Sequence, residues 1–98
     1  MANSNATELH QRGVAAINRG HIRRAEHLLT QALDLATEPD LVARVNASLA
    51  YTQAELGDRQ GALERCAAAM RIRELSPRSR AIVRSQQAVL MSRGGDLA

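Results

Sequence analysis

The sequence predicts an all-α fold: antiparallel helix-turn-helix repeats stacked in series, five helices in all, the last repeat incomplete. Three observations carry this. The apolar residues are mostly Ala and Leu, with no Phe, no Trp and a single Tyr. Ala and Leu are strong helix formers, whereas strands draw on β-branched and aromatic residues in alternation, and no such run is present. Apolar residues recur at helical spacing, most clearly Ala25, Leu28, Leu29, Ala32 and Leu33. Finally, three turn glycines keep a near-constant period: Gly57 follows Gly20 by 37 residues, and Gly95 follows Gly57 by 38. A fixed period of that size marks stacked supersecondary units.

Start and stop signals place each element. Asn5 with Glu8 three residues later reads as a capping box, opening a first helix over about 5–19 that Gly20 ends. The second helix runs over about 21–36. Pro39 sits near the first position of a third helix, about 39–56, and Gly57 stops it. Asp58 caps a fourth, about 58–75. Ser76 and Pro77 form an N-cap and N1 pair opening a fifth, about 77–93, which Gly94 and Gly95 end. The link within each pair is so short that its helices must lie antiparallel. The turn glycine supplies the left-handed residue that closes the first helix of each pair.

Bulk properties bound the rest. Ninety-eight residues at 45% hydrophobic content suggest one globular domain or part of one. A core of small side chains demands close helix approach. All thirteen basic residues are Arg, which together with the abundant Ala matches a GC-rich bacterial genome. The N-terminal stretch has no apolar core of a secretory signal, and no apolar run nears the roughly 18 residues of a membrane span. A single cysteine, Cys66, excludes an internal disulfide framework. The expected compartment is the cytoplasm.

The recurring positions resemble the tetratricopeptide repeat family. Repeat one, about 6–39, carries small residues at Gly13, Ala25 and Ala32, its turn at Gly20, and bulky Leu29 between the two alanines. Repeat two, about 40–76, has Ala50, Gly57, Ala62 and Ala69 in phase, with Cys66 at the bulky site. A partial repeat three, about 77–98, has Ala88 and Gly95. The periods exceed the family's usual 34, and the first-helix aromatic sites are not aromatic. Long, Ala- and Arg-rich repeats look like the actinobacterial arrays that precede CHAT-type domains or signalling ATPases.

The resemblance implies a protein-binding scaffold whose odd-numbered helices line a concave groove for a peptide or helix. Carried over, the groove positions are Thr7, His10, Val14, Ile17 and Asn18 from the first helix. The third supplies Arg44, Ala47, Ser48, Tyr51 and Glu55, and the fifth Ile82, Ser85, Gln86, Val89 and Arg93. Tyr51, the sole aromatic residue, offers contact area and a hydroxyl at mid-groove. Family members that clamp chaperone carboxyl termini use paired Asn and Lys. Those Asn sites here hold Val14, Tyr51 and Val89, and the chain has no Lys.

Self-assembly is the alternative expectation. The fifth helix carries Ile82, Val83, Val89, Leu90 and Met91, and one face would ordinarily meet a sixth helix, whose first residues "GDLA" resemble. Either the array continues beyond this chain or a second copy covers that face, through a homodimer.

Catalytic chemistry finds little support. His21 and His27 are six residues apart and share no face, and Cys66 has no nearby partner at ligand spacing, so no metal or cofactor is expected. Cys66 falls on an apolar stripe with Ala62, Leu63, Ala69 and Met70 and reads as a buried small hydrophobe. The glycine pair of "RGGD" lacks the Lys and Ser/Thr of a phosphate loop. Between Arg59 and Arg93, eight Arg face two acidic residues, Glu64 and Glu74. That excess would suit an acidic protein or nucleic acid. The aromatic interleaving of single-strand binders is absent. Arg stems also cover apolar helix surface, so solvated faces and contacts between repeats account for much of the excess.

Overall fold

A computed structural model describes residues 2–95. They form five helices: α1 (Ala2–Asn18), α2 (Ile22–Leu35), α3 (Pro39–Glu55), α4 (Arg59–Met70) and α5 (Pro77–Gly95). No strand occurs among the described residues. The "GDLA" signal falls on residues 95–98 and lies almost wholly outside them.

The two tight turns are built alike. Gly20 and Gly57 take φ of +80° and +98°, the left-handed region that glycine enters without a Cβ penalty. His21 N–H donates to Ala16 O at 2.9 Å and Gly20 N–H to Ile17 O at 2.9 Å. One period later, Asp58 N–H donates to Gln53 O at 2.8 Å and Gly57 N–H to Ala54 O at 3.0 Å. These are the paired bonds of a Schellman motif, and they satisfy carbonyls that the helix end would otherwise leave open. Asp58 then caps α4 by accepting from Gly61 N–H at 2.9 Å. Ser76 caps α5 through Ser79 N–H at 3.1 Å.

Opposite ends of the hairpins are tied by a polar clamp. Asn3 Oδ1 accepts from Thr37 N–H at 2.9 Å and Glu38 N–H at 3.4 Å, and its Nδ2 donates to Thr37 Oγ1 at 2.9 Å. In the next hairpin Asp40 Oδ1 accepts from Ser76 N–H at 2.8 Å. A turn at one end and a clamp at the other make α2 antiparallel to α1. The same logic runs α4 back along α3.

The element contacts follow. α1 meets α2 and α3, α2 meets α3, α3 meets α4 and α5, and α4 meets α5. The molecule is elongated, 46 × 31 × 18 Å. Its core is two clusters divided by α3. Leu41, Val45 and Leu49 face Ala6, Ala16, Ala25, Leu28, Leu29 and Ala32. Ala43, Ala47 and Ala50 face Ala62, Cys66, Ala69, Leu75, Val83 and Leu90. The bulky stripe of α3 thus serves the first hairpin and its small stripe the second, with offsets of three and four residues placing each set on one face. Each fully buried Leu or Val contributes about 1.5–3 kcal/mol, and the alanines contribute by letting backbones approach.

Three boundaries depart from expectation. α1 begins at Ala2, and Asn5 and Glu8 lie exposed within it. The bonds that Asn3 makes to the loop ahead of α3 anchor an earlier first turn than the capping box implied. α4 stops at Met70 rather than near 75. Its last turn tightens, with Arg71 and Ile72 N–H bonded three residues back, and Glu74 adopts φ +62°. That path turns Leu75 into the second cluster, where it is 8% exposed. α5 includes Gly94 and Gly95, its last described residues, two beyond the expected end at about 93.

Candidate functional site

α3 touches both α1 and α5, while α1 and α5 do not touch each other. A trough therefore opens along α3, of about 460 Å³. Its floor is Arg44, Ala47, Ser48 and Tyr51; one wall is His10, Val14, Ile17 and Asn18 from α1; the other is Ile82 and Gln86 from α5. The spacings within each helix are three and four residues, so each set forms one stripe. The α1 stripe can be open because Ala6, Gly13 and Ala16 are the residues of α1 that are buried.

Apolar surface dominates the trough, with a few polar groups placed within it, the usual make-up of a binding cleft. His10 Nε2 and Ser48 Oγ lie 3.1 Å apart and join α1 to α3. Burial lowers the His10 pKa below its ordinary value, and the Arg44 guanidinium lowers it further, so the imidazole is neutral at pH 7. Among the described residues Arg44 is the charged lining residue, and no carboxylate lines the trough. It is exposed, and its Nε donates a long bond to Asp40 O at 3.4 Å. The Asp40 carboxyl is held below its usual range chiefly by the Ser76 backbone N–H, with Arg44 a lesser cause. Gln86 Nε2 is buried and has no hydrogen-bond partner among the described residues.

Of the residues expected in a groove, His10, Val14, Ile17, Asn18, Arg44, Ala47, Ser48, Tyr51, Ile82 and Gln86 converge on this trough. Thr7 and Glu55 are exposed and do not line it. Ser85 and Val89 line a neighbouring depression of about 410 Å³ on α5, with Arg78, Ala81, Ile82 and Gln86. Ile82 and Gln86 join the two. The Arg93 side chain lies outside the described residues.

The residues expected to mediate self-association divide. Ile82, Val89 and Met91 are 38%, 46% and 56% exposed. Val83 and Leu90 are buried in the second cluster, because they lie on the face of α5 that packs on α3 and α4. They are core residues and offer no outer surface. Ala88 is exposed, unlike Gly13 and Ala50 at the matching positions of α1 and α3.

Three of the eight Arg residues from Arg59 to Arg93 tie elements together. Arg65 on α4 donates from Nη1 to Asn46 Oδ1 at 2.8 Å and from Nε to Gln53 Oε1, both on α3. Arg59 Nε donates to Leu90 O at 3.1 Å, and Arg80 Nη1 to Met70 O at 3.3 Å. These roles had no sequence signal, since each depends on which helices meet. Cys66 is fully buried, and burial pushes its thiol up, against a smaller opposing effect of Arg65. No cluster of three or more His, Cys, Asp or Glu able to hold a metal occurs among the described residues. Among them, no helix is long and apolar enough to cross a membrane. No protein-family model, no curated protein and no solved structure matches this chain.

Proposed function

We propose that the chain is a non-catalytic protein-interaction module of the tetratricopeptide-repeat type. It would receive a peptide or helix in the trough over α3, as a cytoplasmic scaffold or adaptor within a larger bacterial signalling protein. The carrying observation is that α1, α3 and α5 present in-phase stripes to one continuous, mostly apolar trough without contact between α1 and α5. The Schellman turns support the repeat reading, because they recur 37 residues apart with the same bonds around a glycine, and each hairpin has a first-helix side chain accepting from a backbone N–H of the loop that follows its second helix. Selection of a displayed library of random dodecapeptides on the immobilised chain tests it. Selected peptides should bind Tyr51→Ala weaker by about 1–2 kcal/mol, as expected for an aromatic anchor, and should also lose affinity for Ile82→Ser. A pool that never exceeds background, or that binds both variants like the wild type, overturns the groove reading.

Self-association through α5 is the second reading, and the exposure of Ile82 and Val89 supports it. Val89 shares an exposed face with Ile82, seven residues earlier, while Met91 lies on another side of the helix, so the surface offered is that of Ile82 and Val89. Light scattering over a concentration series should then show a dimer or larger species that Val89→Glu converts to monomer. A monomer at every concentration removes this reading.

A further inference from the structure

We propose that the ligand of the trough is an apolar peptide segment carrying an acidic side chain, whose carboxylate is received at Arg44. This rests on the groove reading above and names its ligand class.

Charge complementarity carries the argument. Among the described residues ten side chains line the trough; one is a fixed cation, Arg44, and none is an anion. The carboxylate one turn before it, Asp40, does not line the trough and is committed to Ser76 N–H at 2.8 Å. A ligand that covers Arg44 strips water from a guanidinium whose hydrogen bond within the chain is the long one to Asp40 O. Covering a charge without a partner is costly, whereas a carboxylate can accept two parallel bonds from the same group.

The neutral polar groups leave that charge balance unchanged. His10 and Ser48 satisfy each other, and with its pKa lowered the imidazole adds no second cation. Gln86 Nε2 on the opposite wall is a buried donor with no partner among the described residues, closed off from the trough's open surface. The remaining lining is Asn18, an exposed amide that can donate or accept, and Val14, Ile17, Ala47, Tyr51 and Ile82, which are apolar or aromatic. An acceptor-bearing ligand with aliphatic neighbours therefore matches the trough. A basic ligand would meet repulsion at Arg44, which Asp40 one turn earlier offsets only in part. A nucleic-acid strand would find one aromatic platform and one cation, short of what successive stacked bases need.

The display selection separates this inference from the groove reading. Pools from the wild-type chain should be enriched in Asp or Glu flanked by Leu, Ile or Val, and pools from Arg44→Glu should lose that enrichment and gain Arg or Lys. One synthetic dodecapeptide from the wild-type pool should bind Arg44→Glu about tenfold or more weakly, and its wild-type affinity should fall with added salt. Arg44 is exposed, and matching circular dichroism spectra confirm that the variant folds. A pool that depends on Tyr51 and Ile82 but shows no acidic preference, or binds Arg44→Glu unchanged, overturns the ligand class and leaves the groove. A pool indifferent to all three positions overturns both.

Discussion

Gly13 of α1 lies beneath Leu29 of α2: a β-carbon at Gly13 would stand 2.6 Å from Leu29 Cδ2 and 2.7 Å from its Cγ. Leu29 is fully buried, so it has nowhere to retreat. One period later the matching positions are Ala50 and Cys66, both fully buried. The small residue has grown and the large one has shrunk. Gly13→Ala should therefore destabilise by about 1–3 kcal/mol through overpacking. Leu29→Cys should destabilise by leaving a void. Together they recreate the pair of the second hairpin, and the double variant should lose less than the sum of the singles. Urea titration of the four proteins gives the coupling. Strict additivity would show that the two positions do not share space.

The clamps make a second pair of expectations. Asn3→Ala removes the acceptor for the Thr37 and Glu38 N–H groups and should destabilise by about 1 kcal/mol. Asp40→Asn keeps an acceptor for Ser76 N–H and places here the residue that the first hairpin uses. The variant should fold normally at pH 7. It should differ in acid: the depressed Asp40 pKa means stability present above the ordinary value of 3.8 and lost as pH falls through the folded value. Thermal midpoints between pH 6 and pH 3 should drop more for the wild type than for Asp40→Asn. Equal drops would show that Ser76 does not hold the ionised carboxyl.

What could be read in the sequence depended on range. Turns at Gly20 and Gly57, the caps at Asp58 and Ser76 and the Pro at the start of α3 are local signals, and all appear in the structure. The stripe of α1 and α3 that lines the trough came from the family resemblance, whose groove positions were carried onto this sequence; helical spacing accounts for each set sharing one face. The early start of α1 and the early end of α4 were not. Asn3 finds its partners 34 and 35 residues away, and Leu75 leaves the helix to enter a core made by other elements. Periodicity alone likewise placed Val83 and Leu90 on an apolar helix without saying which of its faces α3 and α4 would take.

His10 makes the trough sensitive to pH. Its pKa lies below the ordinary 6.5, chiefly through burial and further through Arg44. The folded state thus binds fewer protons than the unfolded one between the two values. Stability is fully present above pH 6.5 and is lost as pH falls through the folded value. His10→Gln keeps a polar partner near Ser48 Oγ and removes the titration. Its thermal midpoint should change less than that of the wild type between pH 7.5 and 5. Exposed His21 and His27 are common to both proteins and serve as the internal control. Parallel curves would place the His10 ring in water rather than against Ser48.

Cys66 tests the core and the expectation that its thiol is unreactive together. A nucleophilic cysteine needs access and a lowered pKa. Here the thiol is fully buried and its pKa is raised, while the adjacent Arg65 guanidinium is spent on Asn46 and Gln53. Iodoacetamide should modify Cys66 in the native protein at least about a thousandfold more slowly than in urea, because modification must wait for opening of the α3–α4 core. Removing the Arg65 ties by Arg65→Met loosens α4 from α3 and should speed native modification without creating a reactive thiolate. The rate would then keep the pH dependence of an ordinary or raised thiol. Rapid modification of the native wild type, with a rate that levels off below pH 8, would instead reveal a lowered pKa and reopen a catalytic role.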